Sequence, residues 1–228
     1  MRRWLPGPTA MADTHPVTFR GWPSEALEFY EGLTADNSKT YWASHKEVYE
    51  TQVREPMVEL LTTLEPEFGS GKIFRPYRDV RFSPDKTPYK THLGAWLESG
   101  AYLQLSADGL AAGYGMYEMA PDQLDRYRRA VADDRTGVEL TALVGAIERA
   151  GIGVHGHGSL KTAPRGYPKD HPRLELLRHK GLTTWREWKP APWLGTAAAK
   201  NRIVEFFRTS RPLRQWLDAN AGPASGPP

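Results

Sequence analysis

Cysteine is absent from the 228-residue sequence. A chain without thiols cannot form disulfides, use a thiolate nucleophile or bind a metal through sulfur. The lack of disulfides suits a reducing compartment, so we expect a cytoplasmic protein. Any metal site would have to use histidine and carboxylate ligands alone.

Long apolar runs are absent as well. No stretch approaches the ~18 apolar residues that a membrane-spanning helix needs, and the opening MRRWLPGPTAMADTHP lacks the apolar core of a secretion signal. We therefore expect no signal peptide and no membrane partner. The Walker A, GxGxxG, Gly-x-Ser-x-Gly and HExxH motifs are also missing, which removes the enzyme classes that depend on them. Whether the chain is an enzyme stays open, and we assign no cofactor.

The composition is that of a globular domain, with 39% hydrophobic and 25% charged residues. The length fits one domain. Residues 1–18 and 221–228 are rich in proline, glycine and alanine and show no periodicity, so we predict a flexible N-terminal segment and a disordered tail. A single domain over residues 19–220 remains.

Apolar periodicity predicts helices, then strands, then helices. Helical spacing predicts helices over 24–33 and from 36 to 64, the second interrupted near Pro56. Alternation predicts strands over 73–82, 93–98, 102–106, 110–117 and 154–161. Helical signals return over 121–132, 138–150, 172–180, 197–208 and 212–219. This order predicts an α+β fold, an antiparallel sheet of about four to six strands flanked by N-terminal and C-terminal helices.

Positive charge is concentrated in the stretch RPYRDVRFSPDKTPYKTH, residues 75–92. Its cations are Arg75, Arg78, Arg81, Lys86 and Lys90, and its acids are Asp79 and Asp85. The excess of three positive charges equals the formal net charge of +3 of the whole chain. In the predicted strand, Arg75, Asp79 and Arg81 share one face, whereas Arg78 falls on the apolar face with Val80.

This stretch predicts a site for an anion. The planar guanidinium fits phosphate and carboxylate groups, so Arg75 and Arg81 are the expected clamp. Lys86 and Lys90 would add point charges, Asp79 would orient an arginine, and Tyr89 would donate a hydroxyl or stack. The alternative is an internal ion network in which Asp79 and Asp85 fasten the segment to itself, a role that suits Arg78 best.

Several other side chains carry chemistry. Asp85 and His171 are the candidate proton-transfer groups, and His92 is a further histidine near the basic stretch. His155 and His157 have the spacing of two ligands on one strand face, but no cysteine or carboxylate adjoins them, so we predict no metal site. Trp185, Trp188 and Trp193 lie among Lys180, Arg186 and Lys189. This interleaving suits either core packing or stacking on single-stranded nucleic acid.

The basic stretch resembles the motif of a known family. Its residues are Arg75, Arg78, Asp79, Arg81, Phe82, Asp85, Lys86 and Tyr89. They follow the pattern Arg-x-x-Arg-Asp-x-Arg-Phe-x-x-(Asp or Asn)-Lys-x-x-Tyr of the bacterial and fungal family known as Domain of Unknown Function 2461. Weaker similarities lie at 36–42 and 164–180, where Asp36 replaces the first asparagine of the family's Asn-Asn pair. The resemblance implies a family and candidate positions, and it implies no reaction.

Three functions fit these residues. The leading interpretation is the binding of a small ligand that bears phosphate or carboxylate groups, with catalysis left open. The second is a nucleic-acid binding module that uses the same cations and the three tryptophans. The third is a structural role, in which the basic stretch is only an internal ion network. The sequence predicts no oligomeric state.

Overall fold

The computed structural model of the chain describes residues 18–225. Three helices open it: α1 (Ser24–Ala35), α2 (Lys39–Val48) and α3 (Glu55–Phe68). A π-helical turn, Tyr49–Arg54, joins α2 to α3, and the backbone N–H of Glu55 donates to the carbonyl of Glu50. Pro56 follows at once and has no N–H to continue the ordinary helical ladder. The predicted interruption near Pro56 is therefore confirmed.

A six-stranded sheet forms the centre of the fold. Its strands are β1 (Gly71–Ile73), β2 (His92–Leu97), β3 (Ala101–Ser106), β4 (Gly109–Met116), β5 (Gly153–His157) and β6 (Gly181–Trp188). The order across the sheet is β1-β2-β3-β4-β6-β5, and every neighbouring pair is antiparallel. The predicted α+β class is confirmed, and the sheet reaches the upper end of the predicted strand number.

Four helices follow the central strands. They are α4 (Pro121–Ala132), α5 (Asp134–Arg149), α6 (Leu174–Arg178) and α7 (Ala198–Asn220). The Asp133 side chain caps α5 by accepting from the N–H groups of Arg135 and Thr136, so this helix begins four residues before the predicted start. Helix α7 continues through Pro212, where the sequence predicted two separate pieces.

One face of the sheet carries the core. Alternate residues of the central strands point towards the helices and are buried; they include Leu93, Leu97, Leu103, Leu105, Ala112 and Tyr114. The Tyr114 ring lies 5.5 Å from the ring of Phe207 on α7, measured between centroids. The hydroxyl of buried Thr184 donates to the hydroxyl of Ser210 on the same helix, at 2.9 Å. Helix α7 therefore covers the middle of this face, and the intervening strand residues point the other way.

One strand prediction was wrong, and one strand was not predicted. The strand predicted over 73–82 ends at Ile73, and the following residues form a loop in which Phe82 is 94% exposed. Pro76 and Pro84 in and after this segment have no N–H for a ladder, and apolar alternation alone cannot supply a partner strand. The sequence analysis also missed β6, because its residues alternate poorly: each face of this strand carries both apolar and polar side chains.

The ends of the predicted domain fall partly within the described chain. The N-terminal segment predicted to be flexible lies outside the described residues except for Thr18, as do residues 226–228 of the predicted tail. Residues 221–225 contact α4: Arg126 donates to the carbonyls of Ala221 and Pro223 at 2.6 and 2.5 Å, and the Ser225 hydroxyl donates to Asp122 at 2.6 Å. Within residues 18–225, no helix has the length and apolarity to cross a membrane.

Candidate functional site

The basic stretch forms a loop between β1 and β2, residues 74–91, which we call the basic loop. An isolated bridge between Tyr77 and Tyr89 closes its base. The N–H of Arg78 donates to the Pro88 carbonyl at 2.9 Å, and the N–H of Lys90 donates to the Pro76 carbonyl at 2.8 Å. Residues 78–88 therefore extend from a fixed base.

Within the basic loop, both aspartates are engaged by neighbouring donors. Asp85 accepts from the Thr87 N–H at 2.9 Å and from the Arg78 guanidinium, and these donors lower its pKa to about 2. Asp79 accepts three hydrogen bonds from Arg81, two from the guanidinium at 3.0 and 2.7 Å and one from the backbone N–H at 3.3 Å, and these lower its pKa. These side chains tie the loop to itself, as the internal-network interpretation expects.

Two further cations predicted to bind the ligand also have partners in the loop. The Lys86 ammonium donates to the Val80 carbonyl at 2.9 Å. The Lys90 ammonium lies 5.3 Å from the centre of the Phe74 ring. We expected Tyr89 to face a ligand, but its ring is buried and stacks on Trp42 with 4.4 Å between centroids and 9° between planes. Trp42 therefore covers one face of the Tyr89 ring, and that face is closed to a ligand.

Arg75 is placed differently from the rest of the motif. It lines a cleft of about 600 Å³ between the π-helical turn and the first residues of the basic loop, which we call the cationic cleft. The charged lining residues are Lys46, Glu50, Arg54, Lys72 and Arg75. The aromatic lining residues are Trp42, Tyr49, Phe74 and Tyr77. Arg81 and Lys86 do not line it, so the expected pairing of Arg75 with Arg81 is not the arrangement found.

Positive charge in the cationic cleft is largely uncompensated. Four cations face one carboxylate, Glu50, whose nearest cation is Arg54 at 3.6 Å. Among the described residues, Lys46, Lys72 and Arg75 have no hydrogen-bonding or ion-pair partner. All three are exposed. The Asp79 carboxylate, whose pKa the charge of Arg75 helps to lower, is hydrogen-bonded to Arg81, so the excess of positive charge in the cleft remains and attracts an anion from solution.

Two tyrosines, Tyr49 and Tyr77, also line this cleft. Burial, with a smaller contribution from the nearby Glu50 carboxylate and against the opposing charge of Arg54, raises the pKa of Tyr49 to about 12. Tyr49 is therefore a neutral donor at physiological pH. Tyr77 is 51% exposed, so its ring and hydroxyl are open to a ligand. A polar donor and an aromatic surface thus accompany the cations.

The helical residues that line the cleft were not predicted as part of a site. Lys46, Glu50 and Arg54 follow one another at intervals of four, which places them on one helical face. This spacing was the available signal. The structure adds a second indication of a site. Tyr49, Glu50 and Arg54 lie on the π-helical turn, and such turns are frequent at functional sites.

The candidate proton-transfer residues lie outside the cationic cleft. Asp85 lines another groove together with Arg78, Lys90 and His92, so His92 does lie near the basic motif. Burial lowers the pKa of His92, and the Lys90 charge lowers it further. His171 lines a separate groove beside α6, where its Nδ1 accepts the N–H of Arg173 at 3.0 Å. The structure does not bring Asp85 and His171 together with Arg75.

The two histidines of β5 occupy the opposite edge of the sheet from β1. His155 is exposed, and the His157 Nε2 atom is hydrogen-bonded to the Thr183 hydroxyl at 2.7 Å. No group of three or more histidine, aspartate or glutamate side chains suited to a metal ion occurs over residues 18–225.

The three tryptophans do not form one stacking surface. Trp188 lies on the core face of β6, with its ring edge-on to Phe206 at 5.9 Å and to Trp193 at 6.4 Å. Trp185 is three residues earlier and so points to the other face, where its ring is near-parallel to that of Tyr102. A strand of nucleic acid could contact only one of these two groups at a time.

The fold and the cleft define an α+β protein with a cationic surface site on its N-terminal helical layer. The chain belongs to the family described as "Conserved hypothetical protein (DUF2461)", whose model matches residues 25–216. No curated protein matches the chain. One solved structure with which it shares similarity is a conserved hypothetical protein from Pyrococcus furiosus, at 12% identity and a TM-score of 0.36, over 74% of this chain and 97% of that one. Similarity at this level carries no argument about function.

Proposed function

We propose that the protein binds a small anionic ligand, bearing phosphate or carboxylate groups, in the cationic cleft. The observation that carries this proposal is the charge imbalance: four cations and one carboxylate line a single cleft of about 600 Å³. This volume suits a compact metabolite. The cations come from four separate elements, α2, the π-helical turn, β1 and the basic loop, so their convergence does not follow from helix amphipathicity alone.

The three unpaired cations have distinct parts in this proposal, whereas Arg54 is paired with Glu50. Arg75 presents a planar fork that binds one phosphate or carboxylate through two parallel hydrogen bonds. Lys46 and Lys72 approach as point charges and neutralise the remaining charge of the ligand. Tyr77, which is half exposed, packs against the uncharged part of the ligand or donates its hydroxyl to it.

The proposal assigns binding and no reaction. The lining residues of the cleft include Glu50 and Tyr49 but neither of the residues predicted to transfer a proton, Asp85 and His171. The internal-network interpretation accounts for Arg78 and Arg81, which are paired with aspartates. It leaves Arg75, Lys46 and Lys72 unexplained, and these residues are the reason for preferring a ligand.

Isothermal titration of the purified protein with pyrophosphate, tripolyphosphate and citrate tests the proposal. We expect Arg75→Gln to weaken the best of these ligands at least about tenfold, because a hydrogen bond to a charged group contributes roughly 1.5–3 kcal/mol. Arg81→Gln is the matched control, since Arg81 belongs to the same loop but does not line the cleft. Equal losses in the two variants, with unchanged melting temperatures, would contradict the assignment of the cleft.

A further inference from the structure

A second cleft, of about 790 Å³, lies mainly over the face of the sheet opposite the core and reaches Arg214 of α7 at one end; we call it the aromatic cleft. The aromatic side chains that line it are Phe74, Trp96, Tyr102, Tyr117, His157 and Trp185; Tyr114 also borders the cleft, but its ring packs against Phe207 on the core face. Trp96, Tyr102 and Trp185 belong to one row across the sheet, since Trp96 pairs with Tyr102 and Gly113 pairs with both Tyr102 and Trp185. We propose that this cleft binds a flat aromatic ring system that carries no negative charge.

The aromatic cleft contains much of the exposed hydrophobic surface of the described chain. The described chain exposes seven large hydrophobic side chains, and three of them line this cleft: Trp96, Tyr117 and Phe74, the last of which also borders the cationic cleft. Scattered exposed hydrophobic residues are ordinary, but a contiguous apolar patch marks a binding surface. The volume and the predominance of aromatic walls are those of a small-molecule site.

Two glycines form the floor of the cleft. Gly113 and Gly115 occupy the positions of β4 that face away from the core, and because Gly113 has no side chain, an aromatic ring can lie close to the backbone there. A Cβ at Gly113 would lie 2.9 Å from the Trp185 ring, which therefore lies directly over this glycine. The Trp185 and Tyr102 ring planes are within 23° of parallel, with 6.0 Å between centroids. Together they offer a flat apolar surface on which a planar ring can stack.

The polar groups of the cleft suit a neutral heteroaromatic ring. Tyr102 donates its hydroxyl to the Gln104 Oε1 atom at 3.1 Å, and the Gln104 amide nitrogen makes no other hydrogen bond with residues 18–225. This nitrogen can donate to a ring nitrogen or carbonyl. At the other end, His157 and Thr183 form a hydrogen-bonded pair, and burial lowers the pKa of His157 and so keeps its ring uncharged at neutral pH.

Charge complementarity distinguishes this cleft from the cationic one. Its ionisable lining residues other than histidine and tyrosine are Glu118 and Arg214. Arg214 is already satisfied, because it donates to Asp218 at 3.0 Å and to the Gly115 carbonyl at 2.9 Å. The Glu118 carboxylate is exposed and has no partner in the part of the chain that the structure describes. The cleft thus has no free cation to attract an anion, and its free carboxylate repels one.

Two probes that share a ring system and differ in charge test the proposal. They are quinoline and quinoline-6-carboxylate, each titrated into the protein at pH 8 by isothermal calorimetry. We expect quinoline to bind at least tenfold more tightly than its carboxylate. Trp96→Leu, at a partly exposed position, and Trp185→Leu are each expected to weaken quinoline at least fivefold. Trp193→Leu is the matched control outside the cleft and should leave the affinity unchanged, as should Arg75→Gln, which belongs to the other site.

Three results would overturn the proposal. The first is no detectable binding of either probe at millimolar concentration by a folded protein. The second is equal affinity for the two probes, or an equal loss in Trp96→Leu and Trp193→Leu, which would indicate non-specific binding. The third is a dimer in sedimentation experiments that Trp96→Leu dissociates, because a second copy of the chain would then be the occupant of this face. None of these results bears on anion binding by Arg75, so the two sites stand or fall separately.

Discussion

The side-chain amide of Asn37 forms two reciprocal hydrogen bonds with the backbone of Tyr89, 52 residues away in sequence. Its nitrogen donates to the Tyr89 carbonyl at 3.1 Å, and its oxygen accepts the Tyr89 N–H at 3.0 Å. Asn37 immediately precedes Ser38, whose side chain caps α2. The start of α2 therefore fixes the base of the basic loop, and the buried stack of Tyr89 on Trp42 reinforces the same junction.

Replacement of Asn37 by alanine is expected to loosen the basic loop. The change removes both hydrogen bonds and leaves two partly buried backbone groups of Tyr89 without partners, which should cost about 1–3 kcal/mol of unfolding free energy. Urea denaturation measures this loss, and limited trypsin digestion should show faster cleavage after Arg81 and Lys86. Asn201→Ala is the control, because Asn201 is exposed on α7. Identical digestion rates in the two variants would mean that Asn37 does not hold the loop.

Arg81 provides a test between a structural and a ligand-binding role for the loop. Its pairing with Asp79 is between neighbours in the chain, and both side chains are largely open to solvent, at 77% and 47% exposure. Exposed ion pairs contribute little to stability. We expect Arg81→Ala to change the melting temperature by less than about 3 °C. A drop of 10 °C or more in a thermal scan would show that the pair fastens the fold, contrary to its exposure.

Three histidines make stability depend on pH near neutrality. Burial lowers the pKa of His92, His157 and His179, although the Glu175 carboxylate opposes the shift at His179. A histidine with a lowered pKa is neutral in the folded protein, whereas the unfolded chain takes up a proton near pH 6.5. The stabilisation is therefore complete above about pH 6.5 and is lost as the pH falls through the folded-state pKa.

We expect the melting temperature to fall steadily as the pH is lowered from 7.5 to 5.5. The carboxylates with lowered pKa, such as Asp79 and Asp85, contribute no slope in this range, because they remain ionised in both states. His157→Gln should flatten the curve, since glutamine keeps a hydrogen-bonding group for Thr183 and does not titrate. Stability that stayed constant or rose over this interval would contradict the role assigned to the buried histidines.

The sequence predicted the strands of the meander within one or two residues at each end because two cues agreed there. Residues 102–106 and 110–117 alternate, and the Asp108-Gly109 turn lies between them. Over residues 73–82 the alternation of Phe74, Val80 and Phe82 was present without a partner strand, so the same cue failed. Periodicity reports which side chains share a face, and it cannot report whether another strand is available to pair.

The candidate site was predictable only in part, for a related reason. Arg75 stood out because the basic stretch concentrates charge in sequence. Three other cations come near Arg75 only because the first helical layer packs against the edge of the sheet: Lys46, Arg54 and Lys72. The sequence does not reveal that packing. The aromatic cleft was hidden in the same way, since Trp96, Tyr102 and Trp185 come from three different strands.

The separation of the tryptophans leads to a prediction about nucleic acid. A single-stranded oligonucleotide cannot stack on Trp185 and Trp188 together, because they lie on opposite faces of β6. We therefore expect Trp188→Leu and Trp193→Leu to leave the affinity for an eight-nucleotide dT strand unchanged in fluorescence anisotropy. Any binding through the four cations of the cationic cleft should give a log–log salt slope no steeper than about −3, at roughly −0.7 per phosphate contact. A steeper slope, together with a loss of affinity in Trp188→Leu or Trp193→Leu, would contradict this expectation and favour a nucleic-acid module.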